Sequence, residues 1–229
     1  MIQKHIIALG GGGFSEGTWN SVVDDYLIKA SSKSHPHIVF IPTASDNSTG
    51  YIKKFEDAFS SRKCSFSHIL MDEMTYLDRN SIKEIKAADI FFVGGGNTSK
   101  MLNVWEKCAF DIAIKEEYHK GKVLAGISAG AICWFEYGLT DSLPPGFRKM
   151  KCMGFIKGVM SPHFDSEPER QPAFELLTKS SDFSIGYTCD DGVAIHFING
   201  IPNKIVKENS YSKACIYRKV DNGTSINCY

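Results

Sequence analysis

Lys122-Val123-Leu124-Ala125-Gly126-Ile127-Ser128-Ala129-Gly130-Ala131-Ile132 is the stretch whose reading decides the fold of this chain. An apolar run leads into Gly126-Ile127-Ser128-Ala129-Gly130, and a second apolar, helix-compatible run comes after it. Gly-x-Ser-x-Gly between a strand and a helix has the spacing of a nucleophile elbow, a sharp turn that holds one serine at its apex. Gly126 and Gly130 stand two residues either side of Ser128, where a side chain would collide with the turn or the packed helix. The turn lifts Ser128 Oγ above the strand ends and points the Ala129 amide into the same space, as a donor to an oxyanion. Five common residues also meet by chance, so the reading needs partners for the serine.

Upstream of the elbow, strand and helix alternate with short connections. His5 to Leu9, His37 to Pro42, Ser65 to Met71, Asp89 to Val93 and Lys122 to Ile127 read as strands. Trp19 to Ala30, Thr49 to Phe59, Asn80 to Ala88 and Met101 to His119 carry helical spacing of apolar residues. That order predicts a doubly wound, mostly parallel α/β sheet with helices on both faces. Active sites of such sheets lie beyond the C-terminal strand ends. Gly10 to Gly13, Gly94 to Thr98 and Ser128 to Gly130 all come directly after strands, so all are expected at that edge. The first glycine run completes no phosphate-binding fingerprint and reads as a tight turn against the sheet. Beyond the elbow, Tyr137 to Phe147 reads as a loop. Asn199-Gly200 and Asn222-Gly223 predict hairpins in a small antiparallel C-terminal extension. No repeat or linker divides the chain, so residues 1–229 read as one domain.

Composition narrows the function. Of 229 residues, 26 are Lys or Arg and 26 Asp or Glu, so no bulk field draws the chain to nucleic acid or an anionic membrane. No apolar run is long enough to span a bilayer, and no secretory signal is visible. The seven cysteines are odd in number, scattered and never Cys-x-x-Cys, which predicts reduced thiols in a cytoplasm and no zinc site. Cys133, five residues after Ser128, reads as a buried packing residue.

A serine nucleophile needs a base, and the base needs an acceptor to orient it. Among seven histidines, only His163 lies in a Pro-flanked loop after an expected strand, in Ser161-Pro162-His163-Phe164-Asp165. For the acid, Asp141 in Leu139-Thr140-Asp141-Ser142 is placed to fold back over the serine, with Glu136 in reserve.

Together, Val93-Gly94-Gly95-Gly96-Asn97-Thr98, Gly126 to Ala131, Thr140-Asp141-Ser142 and Ser161-Pro162-His163-Phe164 resemble the peptidase E family, over nearly the whole chain. That family comprises serine peptidases such as alpha-aspartyl dipeptidase and, more distantly, cyanophycinase. The resemblance implies a fold similar to class I glutamine amidotransferases, with serine for their elbow cysteine. It implies Ser128 as nucleophile, His163 as base and Asp141 as acid. Gly95, Gly96 and Ala129 would line an oxyanion hole, and Asn97 would touch the substrate backbone. Arg170, in Glu167-Pro168-Glu169-Arg170-Gln171, falls where the aspartyl dipeptidases carry an arginine that grips the substrate carboxylate. Asp165, Glu167 and Glu169 surround it and would oppose an acidic substrate.

The expected activity is hydrolysis of short peptides, including Asp-x dipeptides, through an acyl-enzyme, with no metal or organic cofactor. A small esterase of the α/β-hydrolase class shares the elbow and the order Ser, Asp, His. A non-catalytic module that binds a phosphorylated ligand on its glycine loops is a further reading. A small peptide is the expected partner, and the sequence leaves a homodimer open.

Overall fold

The structure, a computed structural model, describes residues 2–17, 20–72, 76–221 and 223–229. The first half runs β1 (His5–Leu9), α1 (Val22–Ala30), β2 (His37–Ile41), α2 (Thr49–Ser60), β3 (Ser65–His68) and α3 (Arg79–Ala87). It continues with β4 (Ile90–Val93), α4 (Thr98–Lys107), α5 (Phe110–His119), β5 (Val123–Ile127) and the short α6 (Ala129–Ile132). Next come β6 (Phe135–Thr140), β7 (Arg148–Lys151), β8 (Ile156–Ser161), α7 (Arg170–Thr178) and β9 (Ile185–Cys189). The chain ends with β10 (Val193–Ile198), β11 (Ile201–Lys207), β12 (Ala214–Val220) and β13 (Gly223–Cys228).

Five strands pair in parallel in the order β3-β2-β4-β5-β1, and β10 and β11 close that sheet antiparallel beside β1. Both faces of its central strands are covered, so β4 and β5 are apolar throughout rather than alternating, unlike the edge strands β3 and β11. In β1, Ile7 and Leu9 point to α1 and α2 with Phe40, Phe55 and Phe92, while Ile6 and Ala8 point to the opposite core with Trp105, Phe110 and Trp134. The starts of α1, α3 and α4 carry side chains that accept free first-turn amides. Ser21 accepts the Asp24 amide at 3.0 Å, Asp78 the Ser81 amide at 2.7 Å and Asn97 the Lys100 amide at 2.8 Å.

A second sheet, in the order β13-β12-β9-β8-β6-β7, packs against the first through Phe135, Ile156, Met160, Tyr187 and Ile216. The antiparallel extension is therefore larger than expected and divided between the sheets, β11 joining the first and β12 and β13 the second. Phe135–Thr140, expected as loop from Tyr137 onward, is a strand. Gly138 suggested a break, but it is there because a Cβ would overlap Ile132 of α6. The expected helix from Met101 to His119 is two helices, broken at Ala109 with φ 58°. The break brings Trp105 and Phe110 into one core with ring centroids 5.0 Å apart. The Asn199-Gly200 hairpin is present, with φ 53° and 79°. Trp19 and Asn222, parts of two other expected elements, lie outside the described residues.

The thiol reading needs one correction. Cys215 and Cys228 face each other in the β12–β13 register and form a disulfide; Cys64, Cys108, Cys133, Cys152 and Cys189 are free. Among the described residues, no helix is long and apolar enough to cross a membrane.

Candidate active site

Ser128 sits directly after β5 with φ 55° and ψ −117°, a backbone conformation that most side chains avoid and that a strained elbow requires. The two flanking glycines make it attainable. A Cβ on Gly126 would overlap the Gly130 carbonyl, and one on Gly130 would overlap the Val93 carbonyl of β4. The Ser128 amide donates to the Leu9 carbonyl at 3.1 Å, tying the elbow to the end of β1. Ser128 and His163 line one cavity of about 330 Å³, with Ser15, Ser45, Tyr51, Gly95, Gly96 and Ile127. A wider hollow of about 530 Å³, lined by Asp25, Lys29, Lys33, Arg62 and others, contains none of the elbow.

His163 stands just beyond β8, itself at φ 50°. β9 runs parallel beside β8, with Ser161 opposite Thr188, so the loop after β9 opens onto the same rim. That loop presents Asp191, whose Oδ1 lies 2.6 Å from His163 Nδ1. With Nδ1–H donated to the carboxylate, Nε2 is left as the basic nitrogen. Burial raises the Asp191 carboxyl, but bonds from His163 and Ser166 and the charges of His163 and Arg170 outweigh it, so it sits below its ordinary value. Asp165 Oδ1 accepts the Asp191 amide at 2.9 Å. Gly11 bridges to Asp191 as a parallel strand partner, and a Cβ on it would come 2.6 Å from His163 Cε1 and overlap the Asp191 carboxylate. Gly11 of the first glycine run thus makes room for the His163–Asp191 pair.

The acid is where the sequence expectation is corrected. Asp141 is exposed, and its turn is anchored elsewhere, Ser142 Oγ accepting the Thr98 amide of α4 at 2.9 Å. Its charge is felt at Arg170. Glu136 lies on β6 and accepts the Gly158 amide at 3.4 Å, facing a different hollow. Neither meets His163, whose Nδ1 Asp191 already occupies.

The other expected site residues divide. The Ala129 amide heads α6, where first-turn amides have no intrahelical acceptor. Gly96 lines the cavity at φ 135°, and a Cβ there would overlap the Ala44 carbonyl. Gly95 lies against the nucleophile, its Cβ position 3.2 Å from Ser128 Cβ, but its amide donates to Tyr51 Oη at 3.2 Å. Asn97 spends its side-chain oxygen capping α4. Arg170 is buried, its Nε 2.6 Å from Glu167, one Nη 2.7 Å from the Leu139 carbonyl and its plane over Phe147. A guanidinium held in this way braces α7 against β6 instead of reaching for a substrate. Cys133 is buried as expected, with its thiol pushed well up by burial. No group of three metal-ligating side chains occurs among the described residues.

Sequence reasoning missed Asp191 and Tyr51. Asp190-Asp191-Gly192 between two strands reads as an ordinary turn, and its one signal was position, directly after a strand that ends at the active rim.

The sequence profile of Peptidase family S51 matches residues 6–205. The chain is 42% identical over 212 residues to an uncharacterized peptidase, YgaJ, of Bacillus subtilis (strain 168), covering 93% of this chain and 91% of that one. It is 30% identical over 140 residues to Peptidase E of Haemophilus influenzae, covering 56% of this chain and 62% of that one. A crystal structure of a peptidase from an acI-B1 Actinobacterium superposes with a TM-score of 0.71 at 18% identity, covering 99% of this chain and 97% of that one. The elbow serine, its histidine and the profile over most of the chain agree: this protein belongs to peptidase family S51 and is a serine-type peptidase.

Proposed function

We propose that the chain hydrolyses short peptides through an acyl-enzyme formed on Ser128. The observation that carries this is the His163–Asp191 bond of 2.6 Å beside a cavity that His163 shares with the elbow serine. In this reading His163 Nε2 takes the hydroxyl proton as Ser128 Oγ adds to the scissile carbonyl. The Gly96 and Ala129 amides receive the oxyanion. The C–N bond then breaks, and His163 returns the proton to the departing amine. Water, deprotonated by the same imidazole, cleaves the ester and frees the second product. Asp191 holds the ring in the required tautomer and stabilises the imidazolium. The fold kinship with class I glutamine amidotransferases belongs to the same proposal, a serine standing where those enzymes carry cysteine.

A cavity of about 330 Å³ is at the small end for ligand sites, which suits a short peptide. With Arg170 occupied, Asp-x preference has no cationic grip among the described cavity residues, so side-chain preference is a matter for a panel. Wild type and Ser128→Ala are assayed on dipeptides and N-blocked peptides with Asp, Glu and neutral leading residues. Wild type should cleave part of the panel, and Ser128→Ala should lose about 10⁴-fold or more in kcat/KM. Equal turnover by the two proteins would remove the serine from the chemistry.

A further inference from the structure

Tyr51 lies in α2, and its ring reaches the Gly94–Gly96 loop. It stacks on Phe14 with centroids 5.3 Å apart and 20° between planes, and meets the edge of Phe40 at 5.6 Å. A Cβ on Gly94 would come 2.7 Å from Tyr51 Cε1, so this glycine is what lets the ring settle there. The ring is held by Phe14, Phe40 and Gly94, and Tyr51 lines the cavity that holds Ser128 and His163.

That hydroxyl accepts the Gly95 amide at 3.2 Å, and Gly95 is packed on Ser128, its Cβ position 3.7 Å from Ser128 Oγ. A phenol that accepts an N–H still has its own O–H to give. Among the described residues no carbonyl, carboxylate or hydroxyl takes that proton. Accepting a hydrogen bond also polarises the O–H and makes it a better donor. Burial pushes the phenol up to about 12, so it stays protonated through the range in which a histidine base works.

We propose that Tyr51 is a catalytic residue, its phenol O–H donating to the scissile carbonyl oxygen as that oxygen becomes an oxyanion, while the Gly95 amide holds the phenol instead of the substrate. The inference rests on the acyl-enzyme reading above. No bond to Tyr51 forms or breaks: the negative charge appears on the carbonyl oxygen as Ser128 Oγ adds, and the hydrogen stays on the phenol throughout. Phe14, Phe40 and Gly94 act through Tyr51 and are positioning residues.

The test compares wild type with Tyr51→Phe, which keeps the ring stack and removes only the hydroxyl, on the best peptide of the panel. Since the bond strengthens only as charge develops, kcat should fall roughly 10- to 100-fold with KM within about twofold. Inhibition by the corresponding peptide aldehyde, which forms a tetrahedral adduct, should weaken by a similar factor. A second variant, with 3,5-difluorotyrosine at position 51, keeps the hydroxyl but makes it more acidic. It should show a new loss of kcat at alkaline pH that wild type lacks. An unchanged kcat in Tyr51→Phe, a rise in KM alone, or no alkaline loss in the fluorinated protein would overturn the assignment. Failure of wild type to form a covalent adduct at Ser128 would instead remove the acyl-enzyme reading, and this inference with it.

Discussion

An imidazole has two nitrogens, and the partner of one decides what the other does. His163 Nδ1 faces Asp191, and donating its proton there leaves Nε2 as the acceptor nitrogen. His196 shows the opposite use of the same side chain. It is buried, its Nε2 3.0 Å from His5 Nδ1 and its Nδ1 2.8 Å from the Tyr26 hydroxyl. Burial, then the charges of His5 and Lys204, lowers it to about 4. A folded-state value below the unfolded 6.5 means the fold favours the neutral ring. Its stabilisation is complete above pH 6.5 and is lost as pH falls toward 4, where the unfolded chain binds the extra proton. The loss is at most about 3 kcal/mol. Thermal melts between neutral pH and the folded-state value should show a steep fall in Tm for wild type and a shallower one for His196→Gln. Parallel curves would place the acid sensitivity elsewhere.

At the scale of elements, the rim is made by the segment after each strand. The end of β5 carries Ser128, β8 delivers His163, β9 delivers Asp191, and β1 delivers Gly11, which packs against the last two. Gly11 is the sharpest case, because alanine there is excluded by the site itself and not by a left-handed backbone angle. Gly11→Ala should leave a folded protein whose kcat/KM falls about 100-fold, since displacement of a catalytic pair by an ångström costs that much. Near-wild-type activity would show that the pair does not depend on this loop. The elbow and the parallel strand–helix alternation were legible because their glycine spacing and periodicity are local. β6 was hidden by Gly138, and the α4–α5 break by a stretch with neither Gly nor Pro, because both are imposed by packing against residues distant in sequence. Asp191 was hidden for the same reason: parallel pairing of β8 with β9 brings it to His163, and nothing within its own loop announces that.

Across the whole molecule, two sheets share one core, and the residues of the candidate site come from both. Ser128 and the glycine loops belong to the first sheet; His163 precedes the helix between two strands of the second, and Asp191 lies where the chain crosses from β9 of the second to β10 of the first. The α/β class was readable in sequence, as were Ser128 and His163, which share the cavity, whereas the second sheet, the Cys215–Cys228 bridge and the Asp191 beside His163 required the topology. The most direct measurement is the rate at which a fluorophosphonate forms an adduct in wild type, Asp191→Asn and Asp141→Asn, with the adduct located by peptide mapping. The adduct should sit on Ser128, slow at least about 100-fold in Asp191→Asn and keep its rate in Asp141→Asn. An adduct on another residue, or slowing in Asp141→Asn with none in Asp191→Asn, would contradict the Ser128–His163–Asp191 site.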